Sequence, residues 1–379
     1  MKIILIGNYA PDHQESMERF TAMLYKGFTS SGLNVEIWKP KVLFGKFFKS
    51  TGSGIPKWFG YIDKWLLFPL ILIIKSKIYI YNDNVVKYHI CDHSNAPYLQ
   101  FLPRHKVLIT CHDVLAIKGA LGHTDAYCPA TPMGKLLQKW ILNNLKKSLK
   151  LAAVSNYTLD QLITLTSIPN HPHKWQVIHN ALNAPFKKME PNKAKNLLLK
   201  MNLNVDEPFI LHVGSGLPRK NRKALLQIID YLEHKWVGNV CFAGKPLEQE
   251  LINYAKELNL TNRIINIIQP DHQQLVALYS TCEAFIFPSF SEGFGWPVIE
   301  AQACGAPVIA SSFDPMPEVS GGSAIHKNPN DFQGLGDALY SLKNIDYRKE
   351  VINNGFINVK RFQLDQMINS YIKLHQSTI

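Results

Sequence analysis

Residues 284–300 read Ala-Phe-Ile-Phe-Pro-Ser-Phe-Ser-Glu-Gly-Phe-Gly-Trp-Pro-Val-Ile-Glu. An apolar run, 284–287, has the length and composition of a buried strand, and it breaks into a turn carrying Gly293 and Gly295 before a helix begins. In sheets of alternating strands and helices, ligands bind at such strand ends. Glycines without a Cβ let a ligand approach the backbone, and Pro297 suits the first turn of a helix whose free N–H groups attract an anion. Glu292 and Glu300 flank that turn and can face the same ligand. Each carboxylate can accept two hydrogen bonds from a vicinal diol, so the pair can read two hydroxyl pairs with a diphosphate between them. The plain alternative is that both are solvated charges at a helix end.

Working outward, strand-like runs at 209–213, 240–243, 264–268 and 307–310 join 284–287, separated by helix-length segments, which predicts a parallel doubly wound sheet. The first half alternates in the same way. A strand at 2–6 is followed by a polar loop and a helical pattern through Phe20, Met23, Leu24 and Phe28, and further strands are expected at 106–110 and 151–154. The stretch 182–193, with Pro185, Pro191 and three lysines, interrupts the pattern as a linker. Two α/β domains with a cleft follow: 1–185 and 186–355, with the terminal segment 356–379 packing back across the first. At 379 residues the chain exceeds what one core usually fills.

A second passage agrees with the first. His212-Val-Gly-Ser-Gly-Leu-Pro-Arg-Lys-Asn221 follows a strand and precedes a helix. Gly214, Ser215 and Gly216 permit close approach to the backbone, and Arg219 and Lys220 bring two cations to where a departing diphosphate gains charge. In the first half, Leu108-Ile-Thr-Cys-His-Asp113 puts His112 and Asp113 at a strand end, Asp113 being the one expected to hold the loop or the histidine. No His/Cys cluster or D-x-D triplet stands at a strand end, so no metal is expected. The six cysteines form no C-x-x-C pair and read as reduced thiols of a cytoplasmic protein.

The passage 288–300, continued by Ala301-Gln-Ala-Cys-Gly-Ala-Pro-Val-Ile309, resembles the E-x7-E motif of the retaining GT-B glycosyltransferases of family 4, the mannosyltransferase-like group 1 enzymes. The resemblance implies a GT-B architecture, two Rossmann-like domains facing a deep cleft, and transfer of a hexose from a nucleotide-diphosphate sugar, GDP-mannose or a UDP-hexose, to a saccharide or lipid-linked acceptor in glycan synthesis. It implies that Glu292 contacts the donor hexose, that Gly293, Phe294 and Gly295 lie by the diphosphate, and that Glu300 binds the ribose. It also implies that Arg219 and Lys220 form the donor-phosphate site and that His112, in its T-x-H-D setting, approaches the donor sugar. Neither a cofactor nor a metal is implied. Glu318 lies in a segment resembling the loop after the motif. Residues 154–158 and 177–181 resemble two further landmarks, although Ala181 stands where the family usually has glycine, and the loop 7–16 lacks the glycine pair often seen there.

A net charge of +12 would attract nucleic acid, anionic lipid or an anionic ligand. With no nucleic-acid motif and no G-x-G-x-x-G, no nucleic-acid partner is expected, and a basic nucleotide-binding module ranks below the transferase. Another nucleotide-sugar enzyme on the same fold, an epimerase or a phosphorylase, is the nearer alternative. From Ile37 to Ile62 there is no acidic residue, while Lys39, Lys41, Lys46, Lys49 and Lys57 alternate with Trp38, Phe44, Phe47, Phe48, Trp58 and Phe59. That composition, followed by an apolar run at 65–74 too short to span a bilayer, points to peripheral contact of residues 37–75 with the inner face of the cytoplasmic membrane.

Overall fold

The computed structural model describes residues 1–48, 54–82, 86–167, 174–201, 203 and 207–378. The chain folds into two compact units, the first made of Met1–His123, Cys128–Asn183 and Leu364–Ile379, the second of Thr124–Tyr127 and Ala184–Gln363.

The first unit is a six-stranded parallel sheet of β1 (Lys2–Ile6), β2 (Asn34–Trp38), β3 (Val86–Ile90), β4 (Val107–Cys111), β5 (Lys150–Ala153) and β6 (Lys174–Val177), ordered β2-β1-β3-β4-β5-β6. The strands β2 and β3 have no counterpart in the sequence reading, and β6 is met there only as the strand end before the landmark 177–181, because Glu36, Lys87, His89 and Gln176 interrupt their apolar pattern. His89 nevertheless lies in the core, its Nε2 2.8 Å from Thr110 Oγ1. The helix Glu15–Ser30 buries Phe20, Met23, Leu24, Gly27 and Phe28, one stripe at helical spacing. Burying each large member fully contributes about 1.5–3 kcal/mol. Gly27 is required where it stands, since a Cβ there would collide with Ile368 of the terminal helix Leu364–Gln376.

That terminal helix is held by polar contacts as well. Tyr371 OH lies 3.1 Å from Thr110 Oγ1, and Lys150 Nζ, rising from β5, donates to the carbonyls of His375 (3.0 Å) and Ser377 (2.6 Å) at its end. The lysine thus satisfies carbonyls that a helix terminus leaves open. Burial lowers the Lys150 ammonium to about 8. Burial also pushes His89 well below its ordinary value and His375 down to about 3, with nearby positive charge adding to both.

The second unit is a parallel sheet of β7 (Phe209–Gly214), β8 (Asn239–Gly244), β9 (Ile264–Ile268), β10 (Ala284–Phe287), β11 (Val308–Ser311) and β12 (Ile325–Lys327), ordered β12-β11-β10-β7-β8-β9. After β9 the chain returns to the far side of β7, so the strand order reverses between β7 and β10. The core is built by Ile210, Val240, Phe242, Ile286 and Ile309 with the helix Lys223–Leu232. Pro191, read as part of a linker, instead opens the helix Pro191–Lys200, whose N-cap Glu190 accepts from the N–H groups of Asn192 and Lys193. The helix Ile345–Val359 runs through position 356, the point expected to begin the return to the first unit. It belongs to the second because Asn358 Nδ2 donates to Gln302 Oε1 (2.8 Å) and to the Val319 carbonyl (2.9 Å), and the first-unit helix starts only at Leu364.

Candidate active site

The reversal between β7 and β10 brings together the two passages singled out in the sequence. The loop after β7 turns through Pro218–Lys220 into Asn221, which takes a left-handed φ of 51° and donates to the Pro329 carbonyl at 2.7 Å. The loop after β10 lies beside it: Phe290 N–H donates to the Arg219 carbonyl (2.8 Å), and Arg219 Nη1 donates to the Ser291 carbonyl (2.8 Å). Backbone bonds in both directions therefore fix the loops against each other.

The chemistry is concentrated on Glu292. Arg219 Nη1 donates to one carboxylate oxygen at 2.7 Å and Lys220 Nζ to the other at 2.6 Å. Burial alone would raise this carboxyl, but the Lys220 and Arg219 cations outweigh it and hold it at about 2. Glu292 is therefore an anion at any neutral pH, an acceptor of hydrogen bonds and not a proton donor. Burial lowers the Lys220 ammonium, partly offset by Glu292, and its Nζ also lies 4.9 Å from the Phe287 ring centre.

Around this ion pair, buried polar atoms lack a protein partner among the described residues: His212 Nε2, Arg222 Nε and Ser289 Oγ. His212 Nδ1 lies 3.3 Å from the Ile286 carbonyl, to which it donates, and burial together with Arg222 and Lys220 lowers the ring to about 3. The imidazole is neutral and Nε2 is left as a bare acceptor. Arg222 Nη2 donates to the Gly214 carbonyl at 2.6 Å, and Nη1 reaches Glu248 at 3.3 Å. A site with two cations, a glycine-lined backbone and unspent polar atoms suits an anionic ligand.

Residues 195–356 match the model of the family "Glycosyl transferases group 1". The O-antigen chain mannosyltransferase B of Escherichia coli is 27% identical over 247 residues, 62% of this chain and 64% of the relative, so the chain spans just under two thirds of that relative's length. Residues 195–356 form a group 1 glycosyl transferase domain. Sucrose-phosphate synthase from Thermosynechococcus elongatus superposes with a TM-score of 0.72 at 19% identity, covering 99% of this chain and 98% of that one. HepE of Anabaena, solved in complex with UDP-glucose, superposes with a TM-score of 0.70 at 16% identity, covering 98% of each. The fold is accordingly that of the GT-B glycosyltransferases, two α/β units each on a parallel six-stranded sheet.

Within the group 1 domain the helix Trp296–Ala303 begins at Gly295, whose left-handed φ of 95° would strain any residue with a side chain. Gly216 is crowded, since a Cβ there would collide with the Glu248 carboxylate. Gly214, Ser215 and Gly293 lie in the same two loops. Phe294 is different: its ring is buried edge-on against Phe362 and Trp296. Glu300 is buried on the helix and accepts from Tyr279 OH at 3.1 Å. Glu318 gives its backbone carbonyl to Arg361 at 3.2 Å. Arg222, Glu248, Tyr279 and Ser289 had no role in the sequence reading. Arg222 stands one residue beyond the quoted motif, but Tyr279 and Glu248 come from other elements and no local pattern points to them.

In the first unit His112 is buried at the end of β4. Its Nε2 donates to the Cys91 carbonyl at 2.8 Å, its ring meets Phe20 edge-on at 4.5 Å, and burial lowers it despite Asp92 nearby. The structure thus spends one ring nitrogen on the backbone. Asp113 accepts from Leu115 N–H at 3.0 Å and holds its own loop. Ser155 caps the helix Asn156–Thr166. Ala181, standing at the usual glycine position, keeps an ordinary negative φ and directs its N–H at the sulfur of Met367, 3.3 Å away.

Proposed function

We propose that the chain is a retaining, metal-independent glycosyltransferase that moves a hexose from a nucleotide-diphosphate sugar to a saccharide or lipid-linked acceptor. The observation that carries this reading is the pairing of Arg219 and Lys220 with Glu292 beside the N-terminus of the helix Trp296–Ala303. In the reaction the bond from the sugar C1 to the phosphate oxygen breaks. The acceptor oxygen bonds to C1 on the same face, and its proton passes to a phosphate oxygen. The leaving diphosphate gains charge, and Arg219, Lys220 and the helix N–H groups are the donors poised to take it, the task that a divalent cation performs in other transferases. The ammonium has three N–H donors, so Lys220 can hold phosphate without releasing Glu292. Glu292, held ionised, would accept from hexose hydroxyls, and Glu300 from the ribose.

GDP-mannose is favoured by the mannosyltransferase name of the E. coli relative, and a UDP-hexose by the UDP-glucose complex of HepE. The enzyme would work in the cytoplasm, with its acceptor presented at the inner face of the membrane. Thermal shift against a panel of nucleotide sugars tests the donor, since a ligand bound only by the native state at a hundred times its Kd adds about 2.7 kcal/mol of stability. One donor should raise Tm and then yield product only when acceptor is present. A panel in which none shifts Tm, or sugar turned over without any acceptor, ends the proposal.

A further inference from the structure

The first unit carries an apolar surface that its core does not use. A continuous helical segment runs over Gly54–Ile62, a π turn at Asp63–Leu67 and Phe68–Asn82. Phe68, Leu72 and Ser76 face inward at a spacing of four, and Trp65, Ile71 and Tyr79 pack on the same core. Leu66, Leu70, Ile74 and Ile78 recur every fourth residue on the other side and are 52% to 62% exposed. The run 65–74 is thus a helix split lengthwise between core and solvent. Among the described residues no helix is long and apolar enough to cross a membrane.

The exposed stripe continues through Trp58 and Ile55, with Phe47 beyond it. Asp63 ties this neighbourhood together: it is buried and accepts from Tyr9 OH (2.6 Å) and from the N–H groups of Leu43, Phe44 and Gly45 (2.9–3.1 Å). The one acidic residue between Ile37 and Asn82 is therefore turned inside, and what remains outside is cationic. Lys46 and Lys77 are exposed, and Lys57 and Lys75 extend over the rings of Tyr61 and Trp38. Lys49 lies outside the described residues.

Resting on the reading that the acceptor is presented at a membrane, we infer that the helix 54–82 lies in the plane of an anionic bilayer. Leu66, Leu70, Ile74, Ile78 and Trp58 enter the boundary between headgroups and acyl chains, and Lys46, Lys57, Lys75 and Lys77 meet the lipid phosphates. The charge decides between lipid and a second copy of the chain. A two-fold dimer would set this patch against itself, lysines facing lysines, with Asp63 turned inside and the neighbouring Glu36 already paired with Lys2 at 2.6 Å, whereas an anionic surface accepts both the cations and the apolar stripe.

The test is co-sedimentation of the full chain with phosphatidylcholine vesicles with and without phosphatidylglycerol. The wild type should pellet with the anionic vesicles and do so less at high salt. The double variant Leu70→Glu/Ile74→Glu, unchanged in thermal unfolding because both positions are exposed, should partition at least about tenfold less. Val237→Glu, an equally exposed apolar residue of the second unit, should bind as the wild type does. Wild-type protein left in the supernatant overturns the inference. So does a double variant that pellets normally, or sedimentation velocity showing a wild-type dimer that the double variant dissociates. Tm shift by nucleotide sugars reads the second unit and is unaffected by any of these outcomes, so failure at the membrane and failure of the transferase reading are separable.

Discussion

Between β7 and β10 the chain sets two cations against one buried carboxylate; between β1 and β3, where the first sheet reverses, it sets Asn8, Ser94 and the His93 ring against another. There Asn8 Nδ2 donates to Asp92 Oδ2 and to Gln14 Oε1, both at 2.6 Å, while Asn95 Nδ2 donates to Asn8 Oδ1 at 3.1 Å. Ser94 gives Asp92 both its N–H and its hydroxyl. Burial would raise Asp92, but His93, His112 and Ser94 outweigh it and keep the carboxyl below its usual value. One reversal closes on itself, each side chain spent on its neighbour. The other leaves His212 Nε2, Arg222 Nε and Ser289 Oγ unspent beside excess positive charge. The same topology leaves a closed network in one unit and unspent polar groups beside cations in the other because residue type, and not strand order, decides which polar groups remain for a ligand.

The largest effect that would break this contrast belongs to Lys220→Ala. It should lower kcat/KM about a thousandfold, near 4 kcal/mol, with the loss mainly in kcat, since the cation acts on charge that develops in the transition state. Steady-state kinetics at wild-type levels would show that the second reversal is no more functional than the first. Next comes Asp92→Ala, which strands the donors of Asn8 and Ser94 and should cost about 3 kcal/mol in denaturant unfolding. It should leave nucleotide affinity alone; a matching loss of affinity would join the two reversals into one site.

Acid sharpens the comparison more gently. His89 and His375 of the first unit and His212 of the second are held below 6.5 when folded, chiefly by burial. Unfolded histidines take up protons as pH falls through 6.5 and the folded ones do not, so stability is complete above 6.5 and declines below it. By pH 5 His375 and His212, each held at about 3, contribute a loss of about 2 kcal/mol apiece, and His89 adds to that of the first unit, which should lose more than the second. Hydrogen exchange read unit by unit measures this, and equal losses would contradict the assignment. The smallest effect is expected of Glu300→Ala, about a tenfold rise in nucleotide Kd by calorimetry with little change in kcat at saturation. Unaltered affinity would leave Glu300 a structural partner of Tyr279 alone.

Much of the second unit was legible because β8, β10 and β11 carry apolar runs, as strands buried on both faces must, and β7 and β9 are broken only by His212 and Asn266, whereas β12, Ile-His-Lys, had no apolar run to read. The first unit was harder to read for the same reason inverted: β3 carries Lys87 and His89, and β6 Gln176, so periodicity passes over strands that tertiary partners make tolerable. The fate of 65–74 was also hidden, since a run apolar on all sides does not say which side is covered.

By itself, the sequence determined the two loops that bear the cations, the glycines and the two glutamates, because these depend on local backbone freedom and on residue chemistry within a few positions. Only the tertiary structure decided that Glu292 is bound to Arg219 and Lys220 while Glu300 is bound to Tyr279, and that His112 gives a ring nitrogen to Cys91. Those partners lie 20 or more positions away along the chain. Burial and electrostatic pairing are properties of what packs around a group, and strand order together with helix packing brings such distant residues within hydrogen-bonding reach.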